Sequence, residues 1–320
     1  MPGSGRLSGN SCRLMKVAVG AGSRLAADSL ESRFRLRLVV TSFRQTAPLP
    51  EECIPMSRIA AALIAAASLQ VVDAQEFRVV TTIRDLSAPE DVRGMSTLTL
   101  FRHRKVYDYI AEMGEVIIYE PGANRFTILN TRRGMATSLN FDEIKHLLKK
   151  RQPRVEQYVA GLRANADPVA ADVEASFQFQ LNPKFEESWD GAKNELTLRS
   201  PKCSYRVRCA EQESPEQATQ YLAYADWMAR LNSILHPAAM FPEPRIALNS
   251  SLRRRRRLPR TVELSSSLDG KLHLEASHRI AFKLEDTDRH RITGWESALS
   301  SPRMNRVSFQ DYQRAILASR

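Results

Sequence analysis

KVYDYIAEMGEVIIYEPGANRFTILNTRRGMATSLNFDE, residues 105–143, decides how this 320-residue chain folds. Short runs rich in β-branched and aromatic side chains alternate there with turn chemistry, which predicts strands at 105–111, 115–120, 125–130 and 135–139. Glu120-Pro121-Gly122-Ala123 places Pro and Gly where a type II turn wants them. Met113-Gly114 and Arg133-Gly134 supply residues that tolerate positive φ. Connections this short join only antiparallel neighbours, so the stretch is a meander. Val116-Ile117-Ile118-Tyr119 and Phe126-Thr127-Ile128-Leu129 carry apolar side chains on both faces. Strands of that kind are covered on both sides, so something is expected to lie across the concave face of the sheet.

The residues that follow supply a cover. Asn140 and Glu143 have capping-box spacing, and Phe141, Ile144, Leu147 and Leu148 form a helical stripe. Pro153 is expected to kink or interrupt the helix before the stripe resumes at Val155, Tyr158, Val159 and Leu162. Lys145, Lys149, Lys150 and Arg154 take the opposite face. Strands are predicted again at 175–181, 195–199 and 203–209. A second helix opens at Ser214, with Pro215 at its first position and Gln217 completing the cap spacing. It buries Tyr221, Leu222, Ala225, Met228, Leu231 and Leu235, which at helical spacing are core material rather than a cofactor pocket. Upstream, residues 77–86 and 97–100 extend the sheet.

Towards the C-terminus, Val262 and Leu264 flank one side of Asp269-Gly270, and Leu272, Leu274 and Ala276 the other. A two-residue turn would put the two apolar sets on opposite faces. A bulged loop, Leu268-Asp269-Gly270, instead pairs Leu264 with Leu274 and Val262 with Ala276. The strand is expected to run on to Leu284, residues 288–305 to be irregular, and a short helix to start at Ser308 with Phe309, Tyr312 and Ile316 inward. The predicted class is α+β, mainly antiparallel β: a curved open sheet, or half-barrel, covered by two helices near 141–163 and 214–236.

Residues 56–75, MSRIAAALIAAASLQVVDAQ, have the layout of a secretory signal: Met56, Arg58, an apolar run from Ile59 to Val72, and small residues before a break near Ala74. The run spans about 21 Å as a helix against the ~30 Å of a bilayer core, so a stable membrane span is not expected. The mature body, 75–320, is expected to form one domain that is exported to the periplasm or cell exterior. Residues 1–55, Arg- and Ser-rich, are expected to be a mis-called start or a disordered extension. Nine of the 47 Lys/Arg and five of the 36 Asp/Glu precede residue 75, which leaves the remainder basic at +7. Its cysteines, Cys203 and Cys209, fall on one face of one strand about 20 Å apart. That is beyond disulfide reach, and they are expected to be small core hydrophobes.

Strands in three blocks separated by two helices, in an exported chain of this size, resemble the periplasmic lipoprotein-carrier class and related envelope proteins of unknown function. The resemblance is one of element order and is best over 105–143. It implies an unclosed barrel with helices in its mouth, and an apolar cavity that shields an acyl chain. It carries no functional residue across to this sequence.

Patterns that carry chemistry are sparse. The six histidines, His103, His146, His236, His273, His278 and His290, form no HExxH, and no Cys-x-x-Cys, Gly-x-Ser-x-Gly or Ser-x-x-Lys occurs. No catalytic, metal or cofactor residues are assigned, and an enzyme of undetected type is the least favoured reading. His273 and His278, five apart, are expected on opposite faces of a strand. Residues 186–191 are predicted to be a loop anchored by Trp189. The strongest local signal is Arg253, Arg254, Arg255, Arg256 and Arg257, followed by Arg260. Guanidinium groups pair with phosphate and carboxylate, so these six are candidate polyanion-binding residues. The bland reading is a solvated loop between strands. No aromatics interleave them, and export argues against nucleic acid. The leading expectation is a soluble envelope protein holding an apolar ligand or lipid, such as an acyl chain. The alternative is a structural module docking an anionic lipid or polysaccharide surface through the arginines.

Overall fold

The computed structural model describes residues 76–88, 94–164, 170–210, 215–236, 239–268 and 271–318. The expectations for residues 1–55 and for the export signal at 56–74 lie outside them. Twelve strands and six helices occur among the described residues. The first half of the sheet is β1 (Phe77–Asp85), β2 (Met95–Arg102), β3 (Lys105–Ile110), β4 (Glu115–Glu120), β5 (Arg125–Asn130) and β6 (Met135–Asn140). Two helices follow, α1 (Phe141–Ala164) and α2 (Ala170–Leu181), then β7 (Glu186–Asp190), β8 (Glu195–Arg199) and β9 (Cys203–Cys209). The chain continues through α3 (Pro215–Leu235), α4 (Glu243–Arg255), β10 (Pro259–Ser266), β11 (Leu272–Ala281), α5 (Asp286–Ser300), β12 (Asn305–Arg306) and α6 (Phe309–Leu317).

All strands belong to one curved, open sheet in the order β12-β6-β5-β4-β3-β2-β1-β11-β10-β9-β8-β7. It is two antiparallel meanders, β1 to β6 and β7 to β11, joined along the β1–β11 seam; only the two-residue β12 runs parallel to its neighbour. Turn chemistry sets the first meander. Gly114 and Gly134 take positive φ, as their positions predict, and His103 and Arg104, both at positive φ, make the tight link between β2 and β3. Gly122 does not take positive φ. Pro121–Ala123 forms a single 3-10 turn instead, and Asn124 is the left-handed residue.

The strands with two apolar faces are covered on both sides. Ile117, Tyr119, Phe126 and Ile128 face the larger core, where α1, α3, α4 and α6 pack. Val116, Ile118 and Leu129 face a second core closed by Ile292 and Trp295 of α5. Phe77 and Phe101, partners across β1 and β2, stack with centroids 3.9 Å apart, a contact worth about 0.5–1.5 kcal/mol beyond area burial. The Asn140–Glu143 capping box is present: Glu143 N–H donates to Asn140 Oδ1 at 3.1 Å, and Asn140 N–H to Glu143 Oε2 at 2.8 Å. β9 alternates as read, with Cys203 and Cys209 buried and free. The register Leu264↔Leu274 and Val262↔Ala276 is observed, although Asp269-Gly270 lies outside the described residues.

Further expectations are corrected, and β11 ends at Ala281 rather than running on to Leu284. Pro153 does not break α1; it sits exposed inside a continuous helix. Residues 175–181 are helical rather than extended, because their alternating phenylalanines diverge around a helix: Phe177 meets Tyr158 and Phe179 meets Phe185. Residues 186–190 are the edge strand β7, paired to β8, and not a loop. Residues 288–305 are mostly α5, whose stripe is thin but whose entry is fixed by Glu285 N–H donating to Asp288 Oδ2 at 3.0 Å. The sheet also carries more helical cover than two helices, since α2, α4, α5 and α6 join α1 and α3.

Candidate functional site

The larger core is not filled everywhere. Between the inner face of the sheet and α3 and α4 lies a cavity of about 270 Å³. Its origin is visible strand by strand. Inward positions that are large in β1 and β2 at one end, Phe77 and Phe101, give way to Thr81, Thr97 and Thr99 further along. Ala276 of β11 and Ala225 and Ala229 of α3 are equally short. Small side chains on both walls hold sheet and helix at their normal separation without meeting. The remaining wall is largely apolar, with Ile83, Met95, Ile110, Met228, Leu264 and Leu274.

A few polar groups converge on this space. Thr99 and Asp108 are opposite one another on β2 and β3, and Thr99 Oγ1 donates to Asp108 Oδ1 at 2.8 Å. Burial raises the Asp108 carboxyl above its usual range, against hydrogen bonds from Tyr224 and Thr99 that oppose the shift. Tyr224 is raised well above an ordinary phenol, by burial first and by Asp108 second. Glu115, buried at the end of β4, accepts from the Tyr312 hydroxyl at 2.6 Å and so ties α6 to the cavity's rim.

On the other side of the seam, Thr81 of β1 and His278 of β11 are paired, with Thr81 Oγ1 2.8 Å from His278 Nδ1. His278 is 8% exposed and its Nε2 has no hydrogen-bond partner among the described residues. Burial, and secondly the charge of Arg245, push its imidazole down to about 3, so it is neutral under ordinary conditions. His273 lies on the opposite face, 2.6 Å from Glu263, as the five-residue spacing requires. Arg245 comes from α4, is half-buried and lines the cavity. Among the described residues no carboxylate lies within ion-pair distance of it, and its charge bears on Tyr205, Tyr221 and His278. No three His, Cys, Asp or Glu side chains gather to hold a metal ion among the described residues.

The six candidate arginines do not form one loop. Arg253, Arg254 and Arg255 are the last turn of α4, Arg256 is its left-handed C-cap, Arg257 lies in the short link to β10 with its N–H donating to Leu252 O at 3.0 Å, and Arg260 sits at an irregularity between Pro259 and Thr261 in β10. Arg253 Nη2 is 2.6 Å from Asp226 Oδ2 of α3. Arg254 and Arg255 both hold Glu187 of β7, at 2.6 and 2.5 Å, and Arg255 lies over the Trp189 ring. Burial works against the Glu187 charge, but Ser251, Arg255 and Arg254 outweigh it and keep the carboxyl below its usual range. Three of the six arginines therefore fasten α4 to α3 and to the sheet edge. Arg256 and Arg260 are exposed.

Sequence reasoning did not single out Arg245, Asp108 or Thr81. The available signal was a threonine or histidine at an inward position of an otherwise apolar strand. No protein-family model matches this chain, and no curated protein matches its sequence.

Proposed function

We propose that the protein binds one apolar ligand of acyl-chain character in the cavity between the sheet and α3. The observation that carries the reading is the cavity itself: about 270 Å³ of space with mostly apolar walls. Protein interiors rarely leave such volumes open, and ligand sites are concave, apolar and furnished with few polar groups. The volume is near the lower end of the ~300–1,000 Å³ typical of small-molecule sites, which favours a single chain over a multi-chain lipid. The signal-like residues 56–74 support export, and with it a role at the cell envelope. Among the described residues no helix is long and apolar enough to cross a membrane.

The test is extraction of purified protein with organic solvent followed by mass spectrometry. An apolar compound near one equivalent supports the reading. A protein that extracts empty and takes up neither added fatty acid nor added fatty alcohol removes it. The alternative, docking on an anionic surface, rests on the exposed Arg256 and Arg260.

A further inference from the structure

The polar fittings of the cavity are not those of a container for a neutral hydrocarbon. Arg245 lines its wall and forms no ion pair among the described residues, and the two acids that share the cavity are Asp108 and Glu115. Asp108 is committed to Thr99 and Tyr224, and Glu115 to Tyr312. A half-buried cation without a counter-charge is costly to keep unless something compensates it. His278 lines the same cavity; its Nδ1 is engaged by Thr81, while its buried Nε2 has no hydrogen-bond partner among the described residues. A hydroxyl both donates and accepts, so Thr81 can hold the ring in the tautomer that puts the proton on Nε2. The two residues then bring a charged fork and a neutral N–H donor to the lining of a largely apolar space.

We propose that the ligand is a single-chain amphiphile with an anionic carboxylate head, which pairs with Arg245 and accepts from His278 Nε2 while its chain lies along Met228, Leu264 and Leu274. This rests on the reading of the cavity as an acyl-chain site and adds the head group. Arg matches a carboxylate with two parallel N–H donors, which an alcohol or an ester cannot use equally.

The experiment compares dodecanoate with dodecanol, the same chain bearing an uncharged head, by calorimetry on the full chain below the micellar range. Wild-type protein is expected to bind dodecanoate at least ~10-fold more tightly than dodecanol, the scale of a charge-assisted contact. Arg245→Met is expected to bring dodecanoate down to the dodecanol value and leave dodecanol unchanged. Equal affinities in the wild type would overturn the anionic-head proposal while the apolar cavity stands. Binding of neither compound would overturn both. The wild-type comparison needs no variant, so it decides even if Arg245→Met does not fold.

Discussion

Thr81 and His278 face each other across the β1–β11 seam, 197 residues apart in sequence, with the threonine oxygen 2.8 Å from His278 Nδ1. That contact joins the two meanders at the point where the cavity begins. It also fixes how the protein should answer acid.

An unfolded chain protonates this imidazole as pH falls through about 6.5, whereas the folded chain keeps it neutral down to about 3. Acid therefore favours the unfolded state across that window. The stability present above pH 6.5 is lost on acidification at up to about 1.4 kcal/mol per pH unit. Urea midpoints taken from about pH 7.5 to about pH 5, above most carboxylate titrations, should fall for the wild type and fall by less than half as much for His278→Asn. Parallel curves for the two proteins would rule out this assignment.

Glu187→Gln should loosen the sheet edge. It removes the shared anion of Arg254 and Arg255 and weakens the 2.6 Å hydrogen bond from Ser251. A loss of about 1–2 kcal/mol is expected, discounted because Arg254 is largely exposed. Hydrogen exchange should accelerate first in β7. The double change Arg256→Ser, Arg260→Ser should shift stability by less than ~0.5 kcal/mol. If the anionic-surface alternative holds, that same double change abolishes salt-sensitive binding to phosphatidylglycerol vesicles.

Cys203 and Cys209 should be inert in the native protein. Burial pushes their thiols up to about 12 and about 11 respectively, so little thiolate exists to react. Peptide mapping after iodoacetamide should find both unlabelled in buffer and both labelled in urea. Native labelling of either would contradict the packing of β9.

Filling the cavity should separate binding from folding. Ala229 on α3 points at open space, so Ala229→Leu avoids the ~1–3 kcal/mol that overpacking costs in a filled core. Its melting temperature should be unchanged or raised, and its dodecanoate affinity should drop by at least ~10-fold. Undiminished binding would place the ligand elsewhere.

Much of the frame could be read in the residues. The meander from Lys105 to Asn140 announced itself through alternating apolar runs and turn glycines. The register of β10 on β11 followed from the demand that Leu264 and Leu274 share a face. What escaped notice was structure held by few apolar residues. α4 buries Asn249 and Ser251 beside Leu248 and Leu252, and α5 buries little more than Ile292 and Trp295 around Asp288. Neither makes the wide stripe that marks a helix in sequence. β7 has polar residues at its outer positions because it is an edge. The cavity was beyond reach for a different reason: a void is a relation between short side chains on elements distant in sequence, and that Thr97 and Ala229 line one cavity has no signature in either neighbourhood.

The seam where β1 meets β11 has a consequence for the nascent chain. The first meander can form from local contacts as soon as β6 is made at Asn140, but one flank of β1 stays bare until β11, Leu272–Ala281, has been synthesised. The opposite flank, β6, waits longer still for Asn305 and Val307 to donate to Gly134 and Ala136. Such late, distant closures slow assembly and leave strand borders open to the wrong neighbour. A ribosome stalled anywhere before β11 would thus release a half-sheet with two sticky margins, which a chaperone would have to shield.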